Sequence, residues 1–223
     1  MIGFAFFHGW GFDSNFWTEI ISESKDKEIP TLFFDAGYFG EPSLFPEFSN
    51  AVHWVAVCHS LGLLKALELN PPWYGLVAIN SFTRFCRSDS NSSKSNSGWN
   101  PKVIRRMIRG IERDPRRIVN EFRLNCGGQV LSDEENINGE ALIADLKRLI
   151  HSDERSKWVD IQERLPTLSL ASSHDPIVDA ELTRDCFHSG PIEWRESSSH
   201  LLPQADAIWC TNHILDFLGS CSK

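Results

Sequence analysis

Residues 58–62 read Cys-His-Ser-Leu-Gly and place a serine between an apolar run, WVAV, and a run typical of a helix, LGLLKALEL. A serine hydroxyl is a poor nucleophile unless a base takes its proton. A sharp turn from strand to helix exposes such a hydroxyl, and it needs small flanking residues because strand and helix nearly touch there. Gly62 is small, whereas Cys58 stands where glycine is usual. We predict that Ser60 is a nucleophile; the alternative is a serine that caps the following helix.

A histidine must be brought back to Ser60 to act as its base. Around a turn of this kind the order along the chain is serine, acid, histidine. The chain has eight histidines, and His200 alone lies in a loop, SSSHLLP, between a late predicted strand and the last predicted helix. The sequence therefore favours His200 as the general base, with a solvated loop histidine as the alternative.

An acid should orient that imidazole and stabilise its cation during proton transfer. Asp175 follows the predicted strand TLSLAS, and Asp179 lies four residues further on, at a predicted helix start. Because parallel strands place their carboxyl ends at one edge of the sheet, where sites form, we favour Asp175. Asp179 remains the alternative.

Two backbone N–H groups should stabilise the oxyanion that develops during attack on a carbonyl. The amide of Leu61 follows the serine directly, at the start of its helix. The loop HGWG, residues 8–11, follows the first predicted strand, and its glycines permit a close approach of the backbone. We predict the Trp10 amide as the second donor; the alternative is an ordinary glycine-rich turn.

Six short apolar runs predict the strands that position these residues. Most lack a clean polar–apolar alternation, which is typical of strands covered on both faces in a parallel sheet. Helical stretches separate them, so the pattern predicts an α/β fold, a single domain over 1–223 with a mostly parallel sheet flanked by helices. The predicted strands are 2–7, 31–34, 54–57, 75–80, 167–172 and 192–196. The last helix is predicted over 205–219.

The alternation stops over residues 83–160, after the fourth predicted strand. A polar, low-complexity loop at 88–98 is followed by helix starts at Asn100–Pro101 and Asp114–Pro115 and by a third helical run, GEALIADLKRLI. Three helices inserted at this point of an α/β sheet predict a lid.

The inserted helices carry a basic stripe on a chain whose net charge is −8. Its members are Lys102, Arg105, Arg106, Arg109, Arg113, Arg116 and Arg117. The spacing predicts that Arg105, Arg109 and Arg113 share one helix face, with Val103, Met107 and Ile111 turned toward the sheet or a pocket. Such a patch favours an anionic partner, although a solvated helix face is the alternative.

Composition excludes several other functions. The acidic balance disfavours general binding of nucleic acid. The six cysteines show no CxxC spacing, which argues against a zinc site. Catalysis by an activated serine needs no metal or organic cofactor, so we expect none. No apolar run approaches the length of a membrane span, and the start, MIGFAFFHGWG, lacks the basic region of a signal peptide. We expect a cytoplasmic protein.

HGWGFDSNFW, CHSLG, Asp175 and His200 together resemble the α/β-hydrolase superfamily. The pattern HGWG-x5-W and the stretch GWNPKVIRRMI…DPRRIVNEFRLNCGG further resemble the pimeloyl-[acyl-carrier-protein] methyl ester esterases of biotin biosynthesis. The resemblance implies a fold that begins at the third strand of the full sheet. It also implies an acyl pocket lined by a lid segment, with Trp10, Ser60, Leu61 and His200 at the ester. The segment is Phe122, Arg123, Leu124, Asn125 and Cys126.

In that family lid arginines contact the acidic carrier protein, which implies this role for Arg117. Glu121 departs from the pattern. The basic stripe independently predicts the same role for Arg105, Arg109 and Arg113. The expected function is a serine carboxylesterase that hydrolyses pimeloyl-[acyl-carrier-protein] methyl ester. The alternatives are a general short-chain carboxylesterase or thioesterase, and a non-catalytic binding protein of the same fold.

Overall fold

A computed structural model describes residues 1–23, 29–43, 48, 52–69, 72–87 and 97–221. Six strands form one sheet in the order β2-β1-β3-β4-β5-β6, and every neighbouring pair is parallel. The predicted strands agree with the observed ones to within two residues at each end. The strands are β1 (Ile2–Phe7), β2 (Thr31–Phe34), β3 (His53–His59), β4 (Gly75–Ile79), β5 (Thr167–Ser172) and β6 (Ile192–Arg195).

The middle of the sheet is the most deeply buried part of the core. All of β4 and all but the first residue of β3 are buried, which explains why their sequences are apolar without alternation. The helix α2 (Gly62–Leu69) starts directly after the serine turn and packs on β1 and β3. A short 3-10 turn (Ser14–Trp17), capped by Asp13, leads into α1 (Thr18–Glu23).

Among the described residues between β4 and β5, four helices are present, one more than predicted. They are α3 (Pro101–Ile111), α4 (Pro115–Asn125), α5 (Gly139–His151) and α6 (Arg155–Gln162). Asn100 and Asp114 cap α3 and α4 as their sequences predicted, each with proline at the first helical position. Most of the polar loop predicted at 88–98 lies outside the described residues.

The last third of the chain supplies α7 (Ala180–Cys186), the short α8 (Leu202–Ala205) and α9 (Ala207–Cys221). The final helix therefore begins and ends two residues later than predicted. Asp206 has φ of −146° and separates α8 from α9, so the predicted single helix is broken near its start.

The orientation of α3 corrects two predictions. Ile111 is buried and Met107 lines a cavity, as predicted, but Val103 is 39% exposed and Ile104 is buried instead, so the apolar face is rotated slightly from the one predicted. Arg113 lies beyond Ile111, the last residue of α3, in the turn toward α4. It therefore does not extend the helical row of Arg105 and Arg109.

Within the described part of the chain, no helix combines the length and the apolar character needed to cross a bilayer. No group of three or more His, Cys, Asp or Glu side chains is arranged to hold a metal ion among those same residues.

Candidate active site

Ser60 occupies a strained turn between β3 and α2. Its φ is +53°, a left-handed conformation that is uncommon for residues other than glycine. The strand and the helix touch here, since a methyl group on Gly62 would lie 2.2 Å from the carbonyl oxygen of Phe7. The turn is held by the Ser60 amide, which donates to Ile79 (3.2 Å), and by the Ser81 hydroxyl, which donates to the Ser60 carbonyl (2.5 Å).

Cys58 is a buried strand residue and a poor competitor for the role of nucleophile. Its side chain is fully buried in β3, and burial raises the pKa of its thiol well above the usual value. The reactive thiolate is therefore disfavoured. The position that usually carries glycine thus tolerates cysteine as a small core residue.

Asp175 and His200 come together as a buried pair. Asp175 follows β5 and His200 follows β6, at the carboxyl edge of the sheet. The Asp175 Oδ2 atom lies 2.8 Å from Nδ1 of His200. Its other oxygen, Oδ1, accepts from the amides of Ile177 (2.7 Å) and Val178 (3.0 Å). Asp179, the alternative acid, instead caps α7 by accepting from the Leu182 amide.

The imidazole of His200 lies close to the residue before Ser60 and to a residue that lines the cavity at Ser60. Its ring centroid lies 4.7 Å from that of His59, the residue before the serine, and 6.5 Å from that of Phe122, which lines the cavity at Ser60. Nε2 of His200 is buried and makes no hydrogen bond with the described residues. Nε2 therefore has no competing partner among these residues, and the hydrogen bond to a catalytic serine often forms only once substrate binds.

The HGWG loop lies against the serine turn. A methyl group on Gly9 would be 3.0 Å from Cβ of Ser60, so only glycine allows this approach. His8 fixes the loop, since its Nε2 accepts from the Ala36 amide (3.1 Å) and its Nδ1 lies 2.8 Å from the Gly9 carbonyl. Within the described residues, the backbone amides of Trp10 and Leu61 donate to no other group. Both remain available to an oxyanion at Ser60.

An apolar cavity of about 30 Å³ opens at Ser60. Most of its wall comes from the HGWG loop, from the segment after β4 and from the inserted helices. The lining residues are Trp10, Ser60, Leu61, Phe82, Phe85, Trp99, Ile104, Met107, Phe122, Leu146, Leu149 and Ile177. The sequence missed Phe82 and Phe85, although their position just beyond a buried parallel strand is the signal that could have found them.

The lid segment expected to line the acyl pocket contributes one residue to it. Phe122 lines the cavity and meets the Trp10 ring edge-on at 4.9 Å. Leu124 is 58% exposed and Asn125 is exposed as well. Arg123 stacks over the rings of Phe12 and Phe39, 5.0 and 5.9 Å from their centroids, and Cys126 is buried. A helix presents only part of its surface to one cavity, so consecutive residues do not share a wall.

Asn80 is a further residue of the cluster that sequence reasoning missed. It follows β4 with φ of +43°, a conformation that asparagine tolerates better than most residues. Its Nδ2 atom lies 2.9 Å from the His200 carbonyl and 3.0 Å from the Ser199 carbonyl. Its Oδ1 accepts from the Ser172 amide (2.7 Å). Asn80 thereby joins β4, β5 and the loop that carries His200.

The residues of the basic stripe differ in their partners. Arg116 donates to the carbonyls of Ser132, Asp133 and Glu135, and Arg113 is exposed beyond the end of α3. Lys102, Arg105, Arg106 and Arg109 are exposed on α3 and form no ion pair with the described residues. Arg117 on α4 pairs with Glu121 at 2.7 Å and lies 3.8 Å from Asp114, so its charge is largely offset. The exposed positive surface is therefore centred on α3.

No protein-family model matches this sequence, and no curated protein is similar to it. Solved structures are similar over nearly the whole chain. An esterase (EaEST) from Exiguobacterium antarcticum has a TM-score of 0.78 at 14% identity, covering 98% of this chain and 92% of its own. A bromoperoxidase from Bacillus anthracis has a TM-score of 0.77 at 15% identity, with 97% and 91% covered. A hydrolase from Oleispira antarctica has a TM-score of 0.75 at 15% identity, with 98% and 91% covered. This likeness, together with the parallel six-stranded sheet, shows that the chain has the α/β-hydrolase fold.

Proposed function

We propose that this protein is a serine hydrolase that cleaves carboxylic esters. His200 takes the proton of Ser60 as the serine oxygen bonds to the ester carbonyl carbon. The amides of Trp10 and Leu61 hold the oxyanion. When the C–O bond to the alcohol breaks, His200 gives its proton to the leaving oxygen, and water then hydrolyses the acyl-serine by the same route. Asp175 keeps the proton of the neutral ring on Nδ1.

The observation that carries this proposal is the buried Asp175–His200 pair beside a serine with a positive φ. The strained backbone of Ser60 and the burial of the Asp175 carboxylate both cost free energy. Such costly features are concentrated at catalytic sites. The similar structures include proteins named as an esterase and as a bromoperoxidase, so the fold alone does not select the reaction. The proposal of an ester substrate rests on the side chains at the site.

For the substrate we propose an acyl methyl ester borne by an acidic carrier, pimeloyl-[acyl-carrier-protein] methyl ester, in the cytoplasm. The support is the motif resemblance together with four exposed cations on α3, a helix that carries no acidic residue. A concentrated positive surface on a protein of net charge −8 would steer an acidic partner to the rim of the apolar cavity. Arg105 and Arg109 carry this proposal, whereas the ion pairs of Arg117 weaken its part.

A general short-chain carboxylesterase or thioesterase is the second candidate, and the cavity volume favours it. About 30 Å³ is the space of one water molecule, so any acyl group requires the cavity walls to move, and a short acyl group requires the least movement. Both candidates use the same catalytic groups, so they differ only in the acyl group and its carrier.

The first experiment measures hydrolysis of 4-nitrophenyl acetate and labelling by a fluorophosphonate probe. Wild type should show both, and Ser60→Ala should show neither while melting at the same temperature. Equal turnover by Ser60→Ala would overturn the proposal, and inactivity of wild type on all esters tried would favour a non-catalytic binding protein.

The second experiment separates the substrates by comparing the carrier-linked methyl ester with the nitrophenyl ester. Arg105→Glu/Arg109→Glu should lower kcat/KM on the carrier-linked ester by about 10-fold or more at low salt. Turnover of the nitrophenyl ester should not change. Arg117→Glu is the matched control and should have a smaller effect. Equal loss on both substrates would refute docking on α3.

A further inference from the structure

His59, the residue before the serine, is a buried histidine with one hydrogen bond. Its Nε2 atom lies 2.9 Å from the backbone carbonyl of His200. Its ring stacks on Phe16, with centroids 4.4 Å apart and planes 22° from parallel. A methyl group on Gly9 would approach its Nδ1 to 2.9 Å. The HGWG loop, the 3-10 turn and the loop that carries His200 thus all contact this ring.

The contacts fix the protonation state of His59. A carbonyl oxygen accepts but does not donate, so the hydrogen must be on Nε2. Nδ1 is buried and has no partner among the described residues, which disfavours a second proton there. Burial lowers the pKa of His59 well below its usual value, and the charges of His200 and His8 act in the same direction, whereas the hydrogen bond to the His200 carbonyl opposes them. Arg123 lies over the ring of Phe12, which meets the His59 ring edge-on, and Asp175 pairs with His200 on the other contact of the His59 ring.

The His200 carbonyl receives a second donor from Asn80. Asn80 Nδ2 lies 2.9 Å from the same oxygen. His200 sits in the stretch between β6 and α8, outside any helix or strand, so no backbone ladder fixes its position. A fully buried carbonyl without donors would cost free energy. The side chains of His59 and Asn80 thus supply the hydrogen bonds that fix the position of the His200 backbone.

We propose that His59 is a positioning residue: its Nε2–H, with the Asn80 amide, holds the His200 backbone where its imidazole can serve Ser60. The expected effect of His59 on kcat rests on the proposed ester hydrolysis. The hydrogen bond from His59 to the His200 carbonyl does not depend on that proposal. It also gives a physical role to His59, the second residue of the stretch CHSLG at 58–62. His59 does not line the cavity, so it should affect the chemical step and not the binding of substrate.

The kinetic test compares His59→Leu with His59→Gln on 4-nitrophenyl acetate. Leucine removes the donor, whereas glutamine places an N–H near the position of Nε2. We expect His59→Leu to lower kcat about tenfold with KM within about twofold of wild type, and His59→Gln to recover most of kcat. The control is His53→Leu at the exposed start of the same strand, which should match wild type. Equal losses in Leu and Gln, or a change confined to KM, would overturn the proposal.

A second measurement tests the position of the hydrogen on His59 directly in wild type, so it does not depend on a variant that folds or on turnover of an ester. The NMR spectrum of the imidazole nitrogens of wild type should show His59 still neutral, with its hydrogen on Nε2, at a pH where an ordinary exposed histidine is already protonated. A hydrogen on Nδ1, or titration near the usual histidine pKa, would refute the positioning role. An inactive wild type with the expected His59 signal would instead refute the proposed function and leave the hydrogen bond established.

Discussion

Replacing Asp175 by asparagine tests the proposed proton relay with almost no change of shape. The two oxygens of Asp175 have different partners. Oδ1 accepts from the amides of Ile177 and Val178, which are donors only, and Oδ2 faces Nδ1 of His200. The asparagine oxygen must therefore take the place of Oδ1, and its NH2 group must point at the imidazole. Nδ1 of His200 then becomes an acceptor, which moves the ring hydrogen to Nε2.

A neutral imidazole with hydrogen on Nε2 cannot accept the proton of Ser60. The variant should therefore fold normally and bind ester, while kcat falls by about 10³ to 10⁴. This corresponds to about 4 to 5.5 kcal/mol of lost transition-state stabilisation. Labelling of Ser60 by a fluorophosphonate should slow in the same proportion, since it uses the same activation of the hydroxyl.

Asp179→Asn is the matched control because it changes the alternative acid four residues away. Asp179 caps α7 through its Oδ1, and asparagine is an equally good cap. Its kcat should stay within about twofold of wild type. The reasoning fails if Asp175→Asn keeps more than about a tenth of wild-type kcat, or if Asp179→Asn loses as much.

Three predictions concern stability and are checked by denaturation curves of each variant beside wild type. Gly62→Ala should lower the free energy of unfolding by about 2 kcal/mol or more, because its methyl group would lie 2.2 Å from a backbone oxygen. Gly219→Ala is the control and should be tolerated, because a methyl group there would have nothing within 4 Å. Equal losses of stability in the two variants would contradict this. Tyr38→Phe should cost about 1 to 3 kcal/mol, because it removes the buried hydroxyl that donates to Asp145; a neutral result would mean that this bond contributes little. Burial lowers the pKa of His59, so below about pH 6.5 the unfolded chain binds a proton there that the native protein does not. Wild type should therefore lose stability as the pH falls from about 6.5, by up to about 1.4 kcal/mol per unit more than His59→Gln, and parallel pH profiles would refute a neutral His59.

The strands and the serine turn could be predicted from sequence because their signals are local. An apolar run without alternation, a small residue after the serine and a capped helix start each depend on neighbours within a few positions. Asp175 and His200 could be selected because parallel strands place their carboxyl ends at one edge. Their distance of 2.8 Å follows from the fold and could only be seen in it.

The orientation of the inserted helices could not be predicted. In α3, Val103, Met107 and Ile111 form one apolar row at helical spacing, and Ile104 with Met107 and Ile111 forms another. The sequence permits either row to face inward, and packing on α5 buries Ile104 and exposes Val103. For the same reason the expected lining segment supplied Phe122 but turned Leu124 to solvent.

By itself the sequence determined an α/β chain with a serine on a tight turn and an acid and a histidine after late strands. Those features follow from hydrophobic periodicity and from steric limits within one turn of chain. Only the tertiary structure decided that His59 and Asn80 share the His200 carbonyl, and which side chains enclose the cavity at Ser60. Such contacts join residues more than a hundred positions apart, and their geometry depends on how whole elements pack, which no local pattern encodes.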